Sequence, residues 1–317
     1  MPPFGAEPLA AWLWQVALHS LVASAVLLGW ARRLRLGPGR AKRWLLATAL
    51  VLPLVTASVP GRTSPAFRDR LAWFDSARVL ALPLGGPARV HHLVLGLAAL
   101  TAAAALAQEV AALARRTRAD DRPAPRWLVD RVRALPGCEG CRVGLLAADP
   151  LPSPPLGADP AAAGDILFVS LGRPSRPRLL VSEGALSRLA PDEIDAALAH
   201  ERAHWRPARW WGAHLLFLAR LAQLPNPVAL WLFREYMVEM EIDCDREATS
   251  AADPRPLARA LLAVYRATDR RDVAARSVLR RRVDLLTGRA AAAPADPEPA
   301  AVLAAGAALA LVLPWIV

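Results

Sequence analysis

The stretch ALAHERAHWRPARWW, residues 197–211, places His200, Glu201 and His204 in the order His-Glu-x-x-His. On an α-helix, side chains four residues apart share a face, so two imidazoles converge on one ion while the glutamate between them leans toward a water beside it. A divalent ion at such a point lowers the pKa of water to about 7 and polarises a carbonyl. Glu201 is the residue type that takes the proton from that water and passes it to a leaving amine. A chain of 317 residues with 6 histidines would contain about 0.004 such strings by chance, so coincidence is a poor explanation.

A catalytic zinc takes three protein ligands and keeps one position open, so a further ligand has to come from elsewhere. The acidic run REYMVEMEIDCDREAT, residues 234–249, offers Glu235, Glu239, Glu241, Asp243, Asp245 and Glu247. Two i,i+4 pairs, Glu239 with Asp243 and Glu241 with Asp245, would each put one acid on the metal and another a turn away, and spacing alone leaves both open. His214 reads as a packed or interfacial histidine, because three ligands would already be in place. Tyr236 and Arg234 lie near the acids in sequence but are as well explained by packing.

The elements that position these residues follow from local signals. Pro191 suits the first turn of the motif helix, Asp192, Glu193 and Asp195 complement the positive end of its dipole, and Pro207 ends it. Ahead of it, strand candidates at 142–147, 165–170 and 177–182 predict a small sheet, with 177–182 as an edge to which an extended peptide could add. The apolar stretch 210–233 is broken by Arg220, Gln223 and the Pro225-Asn226-Pro227 turn into two short pieces, which predicts a helical hairpin docked on a membrane-facing side. Arg206, Arg209, Trp210 and Trp211 read as residues of a membrane surface.

With 55% apolar residues and a mean hydropathy of +0.26, the composition favours a membrane protein. Apolar runs at 9–30, 44–59, 90–107 and 300–317 are each close to the length of a span. The first lacks a basic segment before it and has Arg32 and Arg33 after it, the reverse of a cleavable signal peptide. Residues 31–43 carry six basic residues and no acid, so positive-inside reasoning puts that loop in the cytoplasm and the N-terminus outside.

The expected fold is therefore a mostly α membrane protein of about four transmembrane helices, with an inserted α+β, zincin-like HExxH metallopeptidase domain. Residues 1–114 form an N-terminal membrane region, 115–297 a cytoplasmic zinc domain that includes the hairpin 210–233, and 298–317 a C-terminal transmembrane helix. The expected location is the inner or cytoplasmic cell membrane, multi-pass, with the C-terminus outside.

The net charge of +11 is almost all arginine, Lys42 being the only lysine. These residues flank apolar runs instead of forming one basic face with stacking aromatics, so direct nucleic-acid binding is not expected. Three cysteines are too few for a disulfide scaffold. Cys138 and Cys141 form a CxxC without the second half of a zinc site, and read as reduced thiols at a turn.

The stretches ALAHERAHWR and NPVALWLFREYMVEMEIDCDREA resemble the BlaR/MecR-type membrane zinc metallopeptidases, the antibiotic-sensor signal-transducer peptidases. In that family HExxH is followed by Asn-Pro and then by Glu-x-x-x-Asp, with a small residue three positions after the Asp. Asn226-Pro227, Glu241 to Asp245 and Ala248 reproduce the order, whereas the frame starting at Glu239 puts Arg246 at the small position. The resemblance implies one catalytic Zn2+ held by His200, His204 and Glu241, Glu201 as general base, and Asp245 orienting a ligand histidine. It also implies a protein substrate, in that family a cytoplasmic winged-helix transcriptional repressor, and signal transduction by its cleavage.

The sequence departs from the family where the penicillin-binding sensor domain would follow the last span, since it stops at Val317. Ser-x-x-Lys is absent as well, because Gly39 stands three residues before Lys42. A truncated form is expected, with its signal supplied by a separate sensor partner, by the outer loop or by the lipid bilayer. Two other readings share the residues: a housekeeping HtpX/CAAX-type membrane protease, and a non-catalytic zinc-stabilised membrane scaffold. Glu201 argues against the scaffold, since a structural zinc has no use for a general base.

Overall fold

Long apolar stretches with few breakers give two N-terminal helices, α1 (Ala6–Arg33) and α2 (Arg40–Ala57). The structure is a computed structural model. It describes residues 6–33, 36–58, 78–82, 86–89, 121–146, 168–223, 226–267 and 273–289, with isolated positions elsewhere. The chain forms two compact units. One comprises Met1–Ala112, His214–Glu239 and Ala293–Val317, and the other Leu113–Ala213 and Met240–Ala292.

In the first unit α1 and α2 pack on each other, with Leu27, Leu45, Leu46, Ala49 and Leu50 buried. Polar groups inside it are matched only in part, since His19 Nε2, the Ser20 and Ser24 hydroxyls and Gln223 Oε1 are buried with no hydrogen-bond partner among the described residues. His19 Nδ1 lies 2.7 Å from Thr56 Oγ1, and Gln223 Nε2 donates to the Leu50 carbonyl at 2.6 Å. Lys42 Nζ donates to Glu239 Oε1 at 2.7 Å, and the Gly39 N–H donates to the other oxygen of that carboxylate at 3.2 Å. Strands β1 (Arg78–Leu82) and β2 (Gly86–Arg89) pair antiparallel.

Among the described residues no helix is long and apolar enough to cross a membrane. This overturns the mostly α membrane protein with four transmembrane helices, and with it the multi-pass placement in the cell membrane and the assignment of ends and loops to its two sides. The physical reasons differ between the two helices. α1 has 28 residues, but Gln15, His19, Ser20 and Ser24 interrupt its apolar run and are buried within the protein. α2 begins with Arg40, Lys42 and Arg43, and its remainder from Trp44 to Ala57 rises only about 21 Å against a hydrocarbon core of about 30 Å. The predicted spans at 90–107 and 300–317 lie outside the described residues, apart from isolated helical positions.

The second unit is helical around a small sheet, which retains the α+β character expected for this region. The strands are β3 (Asp121–Pro123), β4 (Arg142–Leu146), β5 (Phe168–Arg173) and β6 (Arg176–Ser182), in the order β3-β4-β6-β5. β6 pairs parallel with β4 and antiparallel with β5, the latter through a hairpin that closes at Arg173 and Arg176. The predicted edge 177–182 is thus an interior strand, because β4 takes its second side. Among the described residues β3 and β5 are the edges; β5 is described from Phe168, and positions 165–167 of the predicted strand lie outside the described residues.

Helices α3 (Arg126–Arg133), α4 (Glu183–Arg188), α5 (Pro191–His204), α8 (Arg255–Ala267) and α9 (Val273–Leu286) complete this unit. α6 (Pro207–Ala222) and α7 (Pro227–Ala248) begin in one unit and end in the other. The core gathers Leu128 and Val132 of α3, Leu179 and Val181 of β6, Ile194 and Leu198 of α5, Ala260 of α8, and the thiols Cys138 and Cys141. Leu257, Leu261 and Val283 form a second cluster that ties α8 to α9.

Candidate metal centre

α5 carries the motif. Its start lacks a capping side chain at Ala190, and Glu193 reaches back to accept the Ala190 N–H at 3.0 Å, the reciprocal half of a capping box. Ile194, Ala197 and Leu198 are buried on one side of the helix, and His200 and His204 stand one turn apart beside them. At the far end Arg209 Nη1 donates to the Ala203 carbonyl at 2.7 Å, filling an orphan acceptor where positive charge is favoured. Pro207 opens α6, as its missing N–H allows.

His200, His204 and Glu241 form a triad able to hold a metal ion, with one ligand atom from each lying within 4.8 Å of the others. The two Nε2 atoms are 3.1 Å apart, and the Glu241 carboxylate reaches them at 3.3 and 3.5 Å. Donors bonded at 2.0–2.1 Å around a tetrahedral ion stand about 3.4 Å from one another, so the spacing fits a zinc-sized site. Two imidazoles and a carboxylate are also a donor set that suits that ion.

A polar frame holds the triad. His200 Nδ1 lies 2.8 Å from Asp245 Oδ1, which directs its Nε2 toward the other ligands. Arg282 grips Asp245 through Nε and Nη2, both at 2.7 Å, and its Nη1 lies 3.0 Å from Glu241 Oε2. Burial disfavours protonation of His200, but hydrogen bonds to Asp245 and Glu241 outweigh it and raise the pKa to about 9. Burial lowers that of His204. Burial would raise the pKa of Glu241, yet the His200 hydrogen bond and the charges of Arg282 and His204 bring it down to about 2. Asp245 is likewise held low, against burial, by Arg282 and His200. Cys244 Sγ lies 3.7 Å from His204 Nδ1, and burial raises its pKa, so it faces the ring as a thiol.

Glu201 points to β5, where the Ser170 hydroxyl donates to its Oε2. The other i,i+4 frame is engaged elsewhere. Glu239 is bound by Lys42, and Asp243 accepts from Arg209 Nη2 at 2.7 Å. His214 is exposed, and neither it nor the buried, free Cys138 and Cys141 belongs to a metal-binding group among the described residues. Three of the four supposed membrane-surface residues have partners within this unit, while Trp211 is exposed. Arg206 pairs with Glu247 at 2.7 Å, Arg209 with Asp243 and Glu247, and Trp210 Nε1 donates to the Gly172 carbonyl at 3.0 Å.

Arg282, Ser170 and Arg209 belong to the centre's surroundings and were not anticipated from sequence. No family model, no curated protein and no solved structure matches the chain.

Proposed function

We propose that the protein is a zinc-dependent endopeptidase. The observation that carries this reading is the placement of Glu201, a carboxylate on the same helical turn as the two histidines of a His2Glu cluster, against the hydroxyl of an edge strand. His200, His204 and Glu241 would hold the ion, which when bound supplies Lewis-acid polarisation of the scissile carbonyl and acidifies water.

The chain's own residues do the rest. Asp245 holds the His200 ring through Nδ1 and Arg282 holds Glu241, so that both ligand side chains are positioned before the ion arrives. The Ser170 hydroxyl donates to Glu201 and holds its side chain beside β5, where a general base can meet a peptide. Glu201 accepts a proton from the attacking water as its oxygen bonds to the carbonyl carbon. It then delivers that proton to the leaving nitrogen as the C–N bond breaks, giving one carboxylic acid, which keeps the second proton of the water, and one amine. β5, an edge among the described residues, can align an extended peptide beside this carboxylate.

The resemblance of the motifs to BlaR/MecR-type peptidases makes a winged-helix transcriptional repressor the first substrate to try. The purified full chain should cleave an unstructured protein or such a repressor, lose the activity on treatment with a chelator and regain it with zinc. Cleavage that is indifferent to chelator would overturn the proposal.

A further inference from the structure

The second unit contains a cleft of about 790 Å³ that none of the triad residues lines. This volume is in the range that holds a ligand or several side chains of a peptide. Its walls include Arg173, Arg202, Trp205, Arg206, Trp210 and Trp211, and no Asp or Glu lines it. The positive charge is under-neutralised. Arg202 and Arg206 share the carboxylate of Glu247, at 3.8 and 2.7 Å, with Arg209, which lies outside the lining and also pairs with Asp243, and Arg173 has no carboxylate partner among the described residues. In the wall, the buried indole N–H of Trp205 has no acceptor. A lining of hydrogen-bond donors and indole rings suits an anionic group on an apolar stem.

The cleft adjoins the general base by chain connection. Arg202 follows Glu201 directly, and Arg173 is three residues along β5 from Ser170, whose hydroxyl binds Glu201. At about 3.3 Å per residue, a strand places Arg173 roughly 10 Å from Ser170. We infer that this cleft receives an acidic side chain of the peptide substrate, about three residues from the bond that is cut. The inference rests on the endopeptidase reading and adds the substrate class. Arg173, Arg202 and Arg206 bind the carboxylate, while Trp210 and Trp211 cover its stem.

The test uses the zinc-loaded full chain and a peptide set in which one Glu, or Gln in its place, is moved through the positions flanking the cut. kcat/KM is measured for cleavage, and binding to Glu201→Gln protein by fluorescence anisotropy. The expected result is a Glu-over-Gln preference of about tenfold at one position about three residues from the cut, as suits a charge-assisted hydrogen bond. It is carried by KM and by binding, falls to parity in Arg173→Ala, and persists in Arg255→Ala, an exposed arginine outside the cleft. Equal cleavage of Glu and Gln peptides at every position overturns the inference and leaves the endopeptidase reading standing. A preference that survives both Arg173→Ala and Arg206→Ala also overturns it. Selective binding of Glu peptides with no cleavage by the parent protein removes the endopeptidase reading, and the substrate claim with it.

Discussion

At the scale of single residues, Asp245 and Arg282 decide how the centre exchanges protons for metal. With the His200 pKa raised to about 9, the metal-free protein is expected to carry a proton there at neutral pH that an ion bound by the proposed centre would displace. The direction follows: affinity for zinc increases about tenfold per pH unit from 7 toward 9 and levels above it, with about one proton released per ion at pH 7. Calorimetry in buffers of different ionisation enthalpy measures that release. Asp245→Asn removes one of the two carboxylate partners that raise the pKa, so proton release at pH 8 should fall below that of the parent while zinc affinity falls by about 10- to 100-fold. Arg282 is the buried counter-charge of Asp245 and Glu241. Arg282→Ala should destabilise the metal-free protein by about 3 kcal/mol, and zinc should raise its melting temperature more than that of the parent, because the ion restores positive charge beside the same carboxylates. A thermal melt with and without zinc checks both effects.

Among the elements, the acidic register of α7 is set by partners on other helices. Glu239 is turned to Lys42 and the Gly39 N–H, with its side chain fully buried, and Asp243 to Arg209, which leaves Glu241 and Asp245 for the histidines. Lys42→Met should cost about 3 kcal/mol in denaturant unfolding by stranding a buried carboxylate, and Lys42→Met with Glu239→Met should recover most of it. If the single and double variants were equally destabilised, the pair would not be the reason for Glu239's orientation. The start of α5, the strands at 142–146 and 176–182 and the end of the motif helix were legible, because Pro191, Pro207 and short apolar runs between Gly- and Pro-containing turns act locally. Strand order was not, since a parallel partner for β6 leaves no mark in β6 itself. Arg282 was hidden for a related reason. It stands in a run of three arginines, Arg280 to Arg282, that reads as solvated charge, and only the packing of Val283 on Leu257 and Leu261 turns it inward.

For the whole molecule, the motif spacing and the predicted ligands were more informative than the bulk composition. An apolar fraction of 55% suggested spans, yet in α1 the polar side chains that break the apolar run are buried among helices, and α2 is charged at its start. Hydropathy averaged over a segment does not distinguish a helix that packs on other helices from one that faces lipid. The triad of His200, His204 and Glu241, in contrast, depends on residue types that few other sites require, and the fold brings the three together from two helices. Everything functional then turns on Glu201. The most direct measurement compares the parent with Glu201→Gln for zinc content by mass spectrometry and for cleavage of a protein substrate. Retained zinc with cleavage reduced by at least about a thousandfold is the result predicted for a general base beside an intact centre. Cleavage at the parental rate, with zinc equally retained, would contradict it.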